Sequence, residues 1–289
     1  MKLFKLLIPV LLLSSNLVKG QDSKIEESNN NEDNIEIKVK KQSYEAHWAG
    51  FDVGSVILMN SDFGTDFTNG SWLDAPWWEN DIVNSTTISM NLFEYKLPIF
   101  KQYLGLTTGF GYRNTNIAFR DNYQLYYNND VVQAYQIDLS SEQEAISEIK
   151  QNWLAVHYLT VPLLLEFASK AEGKKSFYFN AGVVGGVRVG SRTTLKGKYD
   201  NGDRFTNVRR AKYQLNPFFL DASFRIGYGA FGLFGSYSLY SMFNRGKTVD
   251  VHPLRVGVSW NWHFSGSDKD SESNEFEFDS FGEEEEIDL

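Results

Sequence analysis

Residues 46–264 alternate apolar and polar side chains one by one, the period of a strand whose two faces meet different surroundings. The final run shows it best: Leu254, Val256, Val258, Trp260, Trp262 and Phe264 share one face, and Arg255, Gly257, Ser259, Asn261 and His263 share the other. From Phe218 the faces hold Phe218, Leu220, Ala222, Phe224, Ile226 and Tyr228 against Phe219, Asp221, Ser223, Arg225 and Gly227. The same reading predicts eight strands, near 47–58, 84–96, 102–114, 152–168, 176–197, 213–228, 231–243 and 253–264. Pro162 removes a ladder donor inside the fourth, so a bulge or a locally open pair is expected there.

Alternation also describes a water-soluble sandwich or a secreted lipocalin-like barrel, so the surrounding solvent has to be read from other features. Most runs exceed the roughly five or six residues of an ordinary strand and reach the roughly nine to eleven that cross a bilayer at a tilt. The second face is Gly, Ser, Asn, Asp and Arg, which suits a narrow polar lumen. Connections are long at 59–83, 115–151, 198–212 and 244–252, and short at 97–101, 169–175 and 229–230. Long loops on one side and short turns on the other mark an outer-membrane barrel. Trp153, Phe167, Tyr228, Trp260, Trp262 and Phe264 near strand ends supply its interfacial girdles. The expected fold is all-β, an eight-stranded antiparallel transmembrane β-barrel, whose lumen is filled by side chains and is no general diffusion pore. The mean hydropathy of −0.36 does not oppose this, because a barrel shows lipid only one face of each strand.

Charge changes the picture at the ends. The formal total is −9, yet residues 46–264 carry +1 and residues 265–289 carry −10. Lys2 and Lys5 followed by apolar Leu6 to Leu13, with Val18-Lys19-Gly20 as the cleavage site, read as a signal peptide over 1–20. Residues 21–45 read as a disordered periplasmic linker and 265–289 as an acidic periplasmic tail, both termini lying on the short-turn side of an even-stranded barrel. The acidic balance argues against nucleic acid as a partner, and the absence of cysteine excludes disulfides and thiolate chemistry.

Three segments carry a resemblance: His47-Trp48-Ala49-Gly50-Phe51-Asp52-Val53-Gly54, Tyr158 to Phe167, and Phe179 to Gly186. They resemble the outer-membrane β-barrel family of Bacteroidetes-type bacteria described as porin-like or PorT-like. The resemblance implies an outer-membrane protein, with a role as accessory to secretion or envelope assembly as one expectation. Arg255, Gly257, Trp260, Trp262 and Phe264 look like the signal read by the outer-membrane assembly machinery, here followed by 25 further residues.

Candidate chemistry is sparse. Asp52, Glu166 and Asp221 with Arg113, Arg188, Arg225 and Arg255 face the lumen and are expected to form an ion-pair network, since buried charges must be paired. His47, His157, His252 and His263 show no metal-ligand spacing, no Gly-x-Ser-x-Gly elbow is present, and neither cofactor nor catalytic residue is expected. Trp72, Trp77 and Trp78 in an acidic loop and Arg209 and Arg210 in a basic one are surface-binding candidates, for a glycan or for lipid and lipopolysaccharide phosphates. In the second long loop, Ser141 and Glu144 before Ala145, Ile146 and Ile149 predict a short helix. Phe276, Phe278 and Phe281 make the tail a candidate for binding a periplasmic or envelope protein. The sequence favours a structural or interaction role in the outer membrane over narrow transport or binding of a small solute or glycan, and both over a membrane lipid hydrolase.

Overall fold

The computed structural model describes residues 24–27, 37–40, 46–67, 80–100, 103–120, 122–128, 131–140, 145–169 and 176–262. The signal peptide, Trp72, Trp77, Trp78, Phe264 and the acidic tail with Phe276, Phe278 and Phe281 lie outside them. Within the expected linker, two short strands, β1 (Lys24–Glu27) and β2 (Ile37–Lys40), pair antiparallel.

The barrel strands are β3 (Gly50–Met59), β4 (Thr86–Phe100), β5 (Leu104–Ala118), β8 (Ile146–Ala168), β9 (Phe177–Tyr199), β11 (Phe218–Tyr228), β12 (Phe231–Ser238) and β13 (His252–Asn261). Each pairs antiparallel with the next, β13 pairs back to β3, and β8 pairs with β9, so the ring is closed and has no edge. Two hairpins sit in the long connections: β6 (Tyr123–Asn128) with β7 (Val131–Gln136), and β10 (Arg204–Arg210) paired to the upper part of β9. Strands 146–168 and 177–199 are each 23 residues long and run well past the others at the long-loop end.

The outer face carries the lipid contact. Val161, Leu163, Leu165 and Phe167 on β8 and Phe224, Ile226 and Tyr228 on β11 all point outward and are exposed. The 11 residues of β11, at about 3.3 Å each and a tilt of about 40°, rise roughly 28 Å, enough for the apolar band of about 25 Å. Above that band the outer face turns polar: Tyr112 donates or accepts a 2.6 Å hydrogen bond with His157, and Asn114, Asn116 and Arg192 follow. Phe167, Tyr228 and Trp260 are exposed at the short-turn rim, and Trp153 stands toward the long-loop end, opposite Thr194.

Two local departures from regular pairing matter. In β4 the register shifts between Asn91 and Phe93, leaving Leu92 as an extra residue. Thr87, Ser89 and Asn91 face inward before the bulge, and Glu94 and Lys96 face inward after it, so the inward parity switches from odd to even. Pro162 stays in register with Val184 on one side, while on the other the β5–β8 ladder is open between Thr108–Leu163 and Gly111–Thr160. The helix expected over Ala145 to Ile149 is replaced by strand from Ile146 onward, because pairing with Tyr199, Lys198 and Gly197 across β9 outweighs a local capping preference. Among the described residues no helix is long and apolar enough to cross a membrane.

Candidate functional site in the barrel lumen

The lumen is built in strata. Nearest the short turns, residues 46–49 do not continue β3 outward but fold into the barrel mouth, where Ala46, His47, Trp48 and Ala49 are all buried. The walls satisfy their backbone: the Glu94 carboxylate accepts from the N–H groups of Trp48 and Ala49 at 2.7 Å each, and Glu166 accepts from the N–H of His47 at 3.1 Å. Asn180 and Arg225 donate to the His47 carbonyl, and Arg225 also donates to that of Trp48. A peptide segment buried away from water demands such partners, and four barrel side chains supply them.

The charges around this plug are paired. Arg225 binds Asp52 through one nitrogen at 2.7 and 2.8 Å, donates to Asn261, and lies over the Trp48 ring at 4.9 Å. Glu166, wholly buried, accepts from Lys96 Nζ at 2.9 Å, from Thr107 Oγ1 at 2.9 Å and from the His47 ring at 2.9 Å. One level up, Asp221 accepts from Arg113 at 2.5 Å, Arg255 at 3.3 Å and Ser238 at 2.7 Å, with Arg113 over the Phe219 ring. Thus Asp52, Glu166 and Asp221 pair with Arg225, Lys96, Arg113 and Arg255, while Glu94 is held by the backbone N–H groups of the plug.

Toward the long loops the inward face becomes apolar. Val56, Leu58, Ile117, Leu154 and Val156 from the strands pack with Phe67, Leu125, Tyr213, Leu215, Met242, Phe243 and Val251 from the loops. The chain over the mouth is therefore a small hydrophobic core of its own, fully removed from water.

Of the lumenal charges read from the sequence, Asp52 and Arg225 meet in one cluster, Arg113, Asp221 and Arg255 in another, and Glu166 stands with Lys96 and His47. Arg188 joins none of these: it donates to the Leu215 carbonyl and to Ser191 Oγ. It sits one step above Asp221, where the loop backbone and not a carboxylate is in reach. Glu94 and Lys96 escape a sequence reading because the bulge at Leu92 reverses the strand's parity; His47 escapes because alternation carries it into the first strand, expected over 47–58, whereas that strand begins at Gly50.

His47 is also the centre of a Ser–His–acid sequence of contacts, with Ser176 Oγ 3.3 Å from Nε2 and Glu166 2.9 Å from Nδ1, its ring stacked on Tyr178 at 4.2 Å. The order is that of an activated nucleophile, but Ser176 is 3% exposed and Glu166 is shared with Lys96. Of the assembly-signal residues, Arg255 is lumenal, Trp260 faces out beside Phe51, and Trp262 meets Phe51 edge-on at 4.6 Å while its N–H donates to the Ala49 carbonyl. Outside the spanning strands, Asn84 holds the Asp81 carboxyl below its usual value through side-chain and backbone hydrogen bonds. Arg209 and Arg210 are exposed on β10 and point to opposite faces of it. Among the described residues no three His, Asp or Glu side chains converge as metal ligands.

None of the curated proteins compared with the chain matches it. Among solved structures it is similar to Ail, the attachment invasion locus protein of Yersinia pestis, in complex with the heparin analogue sucrose octasulfate, at 12% identity and a TM-score of 0.28. That likeness covers 73% of this chain and 94% of Ail and adds nothing to the argument. The family described as "outer membrane protein beta-barrel domain" matches residues 92–244, more than half of the 289. A closed antiparallel ring with an apolar outer band agrees with that description, and the chain belongs to the outer membrane protein beta-barrel domain family.

Proposed function

We propose that this protein of the bacterial outer membrane has a structural or protein-interaction role, and that solutes do not pass through it. The observation that carries the reading is the double closure of the lumen, by residues 46–49 with their ion pairs at one end and by an apolar loop core at the other. Liposomes reconstituted with the full chain should swell in small sugars no faster than protein-free ones; sustained swelling would overturn the reading.

The motif segments that resemble PorT-like proteins of Bacteroidetes make an accessory role in secretion or envelope assembly the finer form of this proposal. It places both termini in the periplasm and gives the acidic tail, with Phe276, Phe278 and Phe281, to a periplasmic partner. Identical partners recovered by pull-down with and without residues 265–289 would remove the tail from it. A second reading, a lipid hydrolase, is favoured only by the Ser176–His47–Glu166 contacts. Acyl-chain release that disappears in Ser176→Ala would establish it, and no release by the folded protein would dismiss it.

A further inference from the structure

Above the apolar band, the upper part of β9 pairs with β8 on one side and β10 on the other. Leu154 and Val156 of β8 point into the buried loop core, so Ala155, and its cross-strand partner Arg192, point outward. Antiparallel register then carries Arg192, Lys196 and Lys198 of β9 onto the same outer face as Arg210, Thr206 and Arg204 of β10. Arg192 stands directly opposite Arg210, and Lys198 directly opposite Arg204. Like charges placed face to face across a ladder destabilise it unless something neutralises them. The nearest acids are few: Glu148 faces Lys198 but pairs with Lys150, and Asp200 and Asp203 sit at the hairpin tip. Among the described residues, none of the five cations has a carboxylate within ion-pair distance.

Height decides what neutralises them. Val187, Val189 and Phe218 are exposed at the upper limit of the apolar band. Arg192 follows Val189 by roughly 10 Å along the strand, which a tilt of about 40° turns into roughly 8 Å above the hydrocarbon. That is the depth of lipid phosphates. We propose that the outer face of the β9–β10 hairpin binds the phosphate groups of anionic lipid in the surrounding outer leaflet, with Arg192, Arg210 and Lys196 closest to the membrane. Guanidinium pairs suit this ligand, because each can hold a phosphate through two parallel hydrogen bonds.

The test uses the full chain folded in detergent micelles and purified lipopolysaccharide, either intact or enzymatically dephosphorylated. A triple variant, Arg192→Gln with Lys196→Gln and Arg210→Gln, is compared with wild type and with Arg245→Gln, an exposed cation of another loop; heat-modifiable migration verifies that all three fold. Intact lipopolysaccharide should bind wild type and Arg245→Gln alike and the triple variant roughly tenfold more weakly, with binding that falls as salt rises. Dephosphorylation should abolish the difference. Equal affinity of wild type and triple variant for the intact lipid would overturn the proposal, as would indifference to the phosphates. Displacement by low inorganic phosphate would overturn it too, since the site would then belong to the free ion.

Discussion

At the scale of single residues, the lumen depends on groups that are costly when left alone. Arg225 holds Asp52, Asn261 and two carbonyls of the plug at once. Arg225→Leu should therefore destabilise the barrel by about 3–5 kcal/mol, because it strands a buried carboxylate, and the urea midpoint of the heat-modifiable form should fall accordingly. The double change Arg225→Leu with Asp52→Leu should recover part of that loss. Glycines form a second residue-level device, with aromatic rings lying over them across the ladder: Phe219 over Gly186, Phe234 over Gly257 and Phe224 over Gly235. These sites differ in what a methyl group would meet. At Gly235 its nearest neighbours all belong to the lipid-facing Phe224 ring, whereas at Gly257 it meets the Val53 carbonyl and the Gly54 Cα, both backbone atoms. Gly257→Ala should cost about 1–3 kcal/mol and Gly235→Ala distinctly less in the same unfolding assay.

At the scale of elements, the bulge in β4 decides which side chains see lipid. Deleting Leu92 would restore a regular ladder while keeping Phe93 and Tyr95 outward and Glu94 and Lys96 inward, because Asn91 would then be followed directly by Phe93. The deletion should therefore still yield a heat-modifiable band, whereas inserting one further residue beside Leu92 without a bulge would turn Glu94 and Lys96 to the lipid face, at about 2–4 kcal/mol at mid-bilayer for the lysine alone, and should abolish that band. The same bulge shows where sequence reading stops. Period-two alternation sets the number of strands, their order and the alternation of long and short connections, because lipid on one side and polar side chains on the other impose it on every strand. It locates Asp52, Arg113, Asp221, Arg225 and Arg255 on the inward face for the same reason. It loses Glu94 and Lys96 at a single extra residue, and it gives no hint that Ala46 to Ala49 turn inside, since the alternation runs on from residue 47 into the first strand and nothing in it marks the turn at Gly50. Ile146 to Ile149 fail differently: their capping residues favour a helix locally, and only the partner strand, far along the chain, makes them a strand.

At the scale of the molecule, the two closures are independent. The plug rests on ionic and amide contacts, and the loop core on apolar burial. Removing the His47 side chain by His47→Ala should lower stability, because Glu166 and Tyr178 lose a partner, yet leave conductance in planar bilayers at the background level, because the apolar core still blocks the other mouth. A pore opening in that variant alone would mean the loop core does not seal.

The origin of the plug also constrains how the chain reaches its final state. Residues 46–49 come first in the barrel sequence, yet their partners lie 119, 133 and 178 positions further on, in Glu166, Asn180 and Arg225, and Ala49 bonds to Trp262 at the end of the last strand. Local contacts cannot form this stratum early, and chains dominated by such distant pairings fold slowly. Glu94 can reach the plug from the neighbouring β4, but until β13 arrives to close the ring against β3, Glu166 and Arg225 have no plug to hold. Seam closure and lumen filling are thus a single terminal event, and a chain stalled before it would present charged side chains in an open, unsealed sheet.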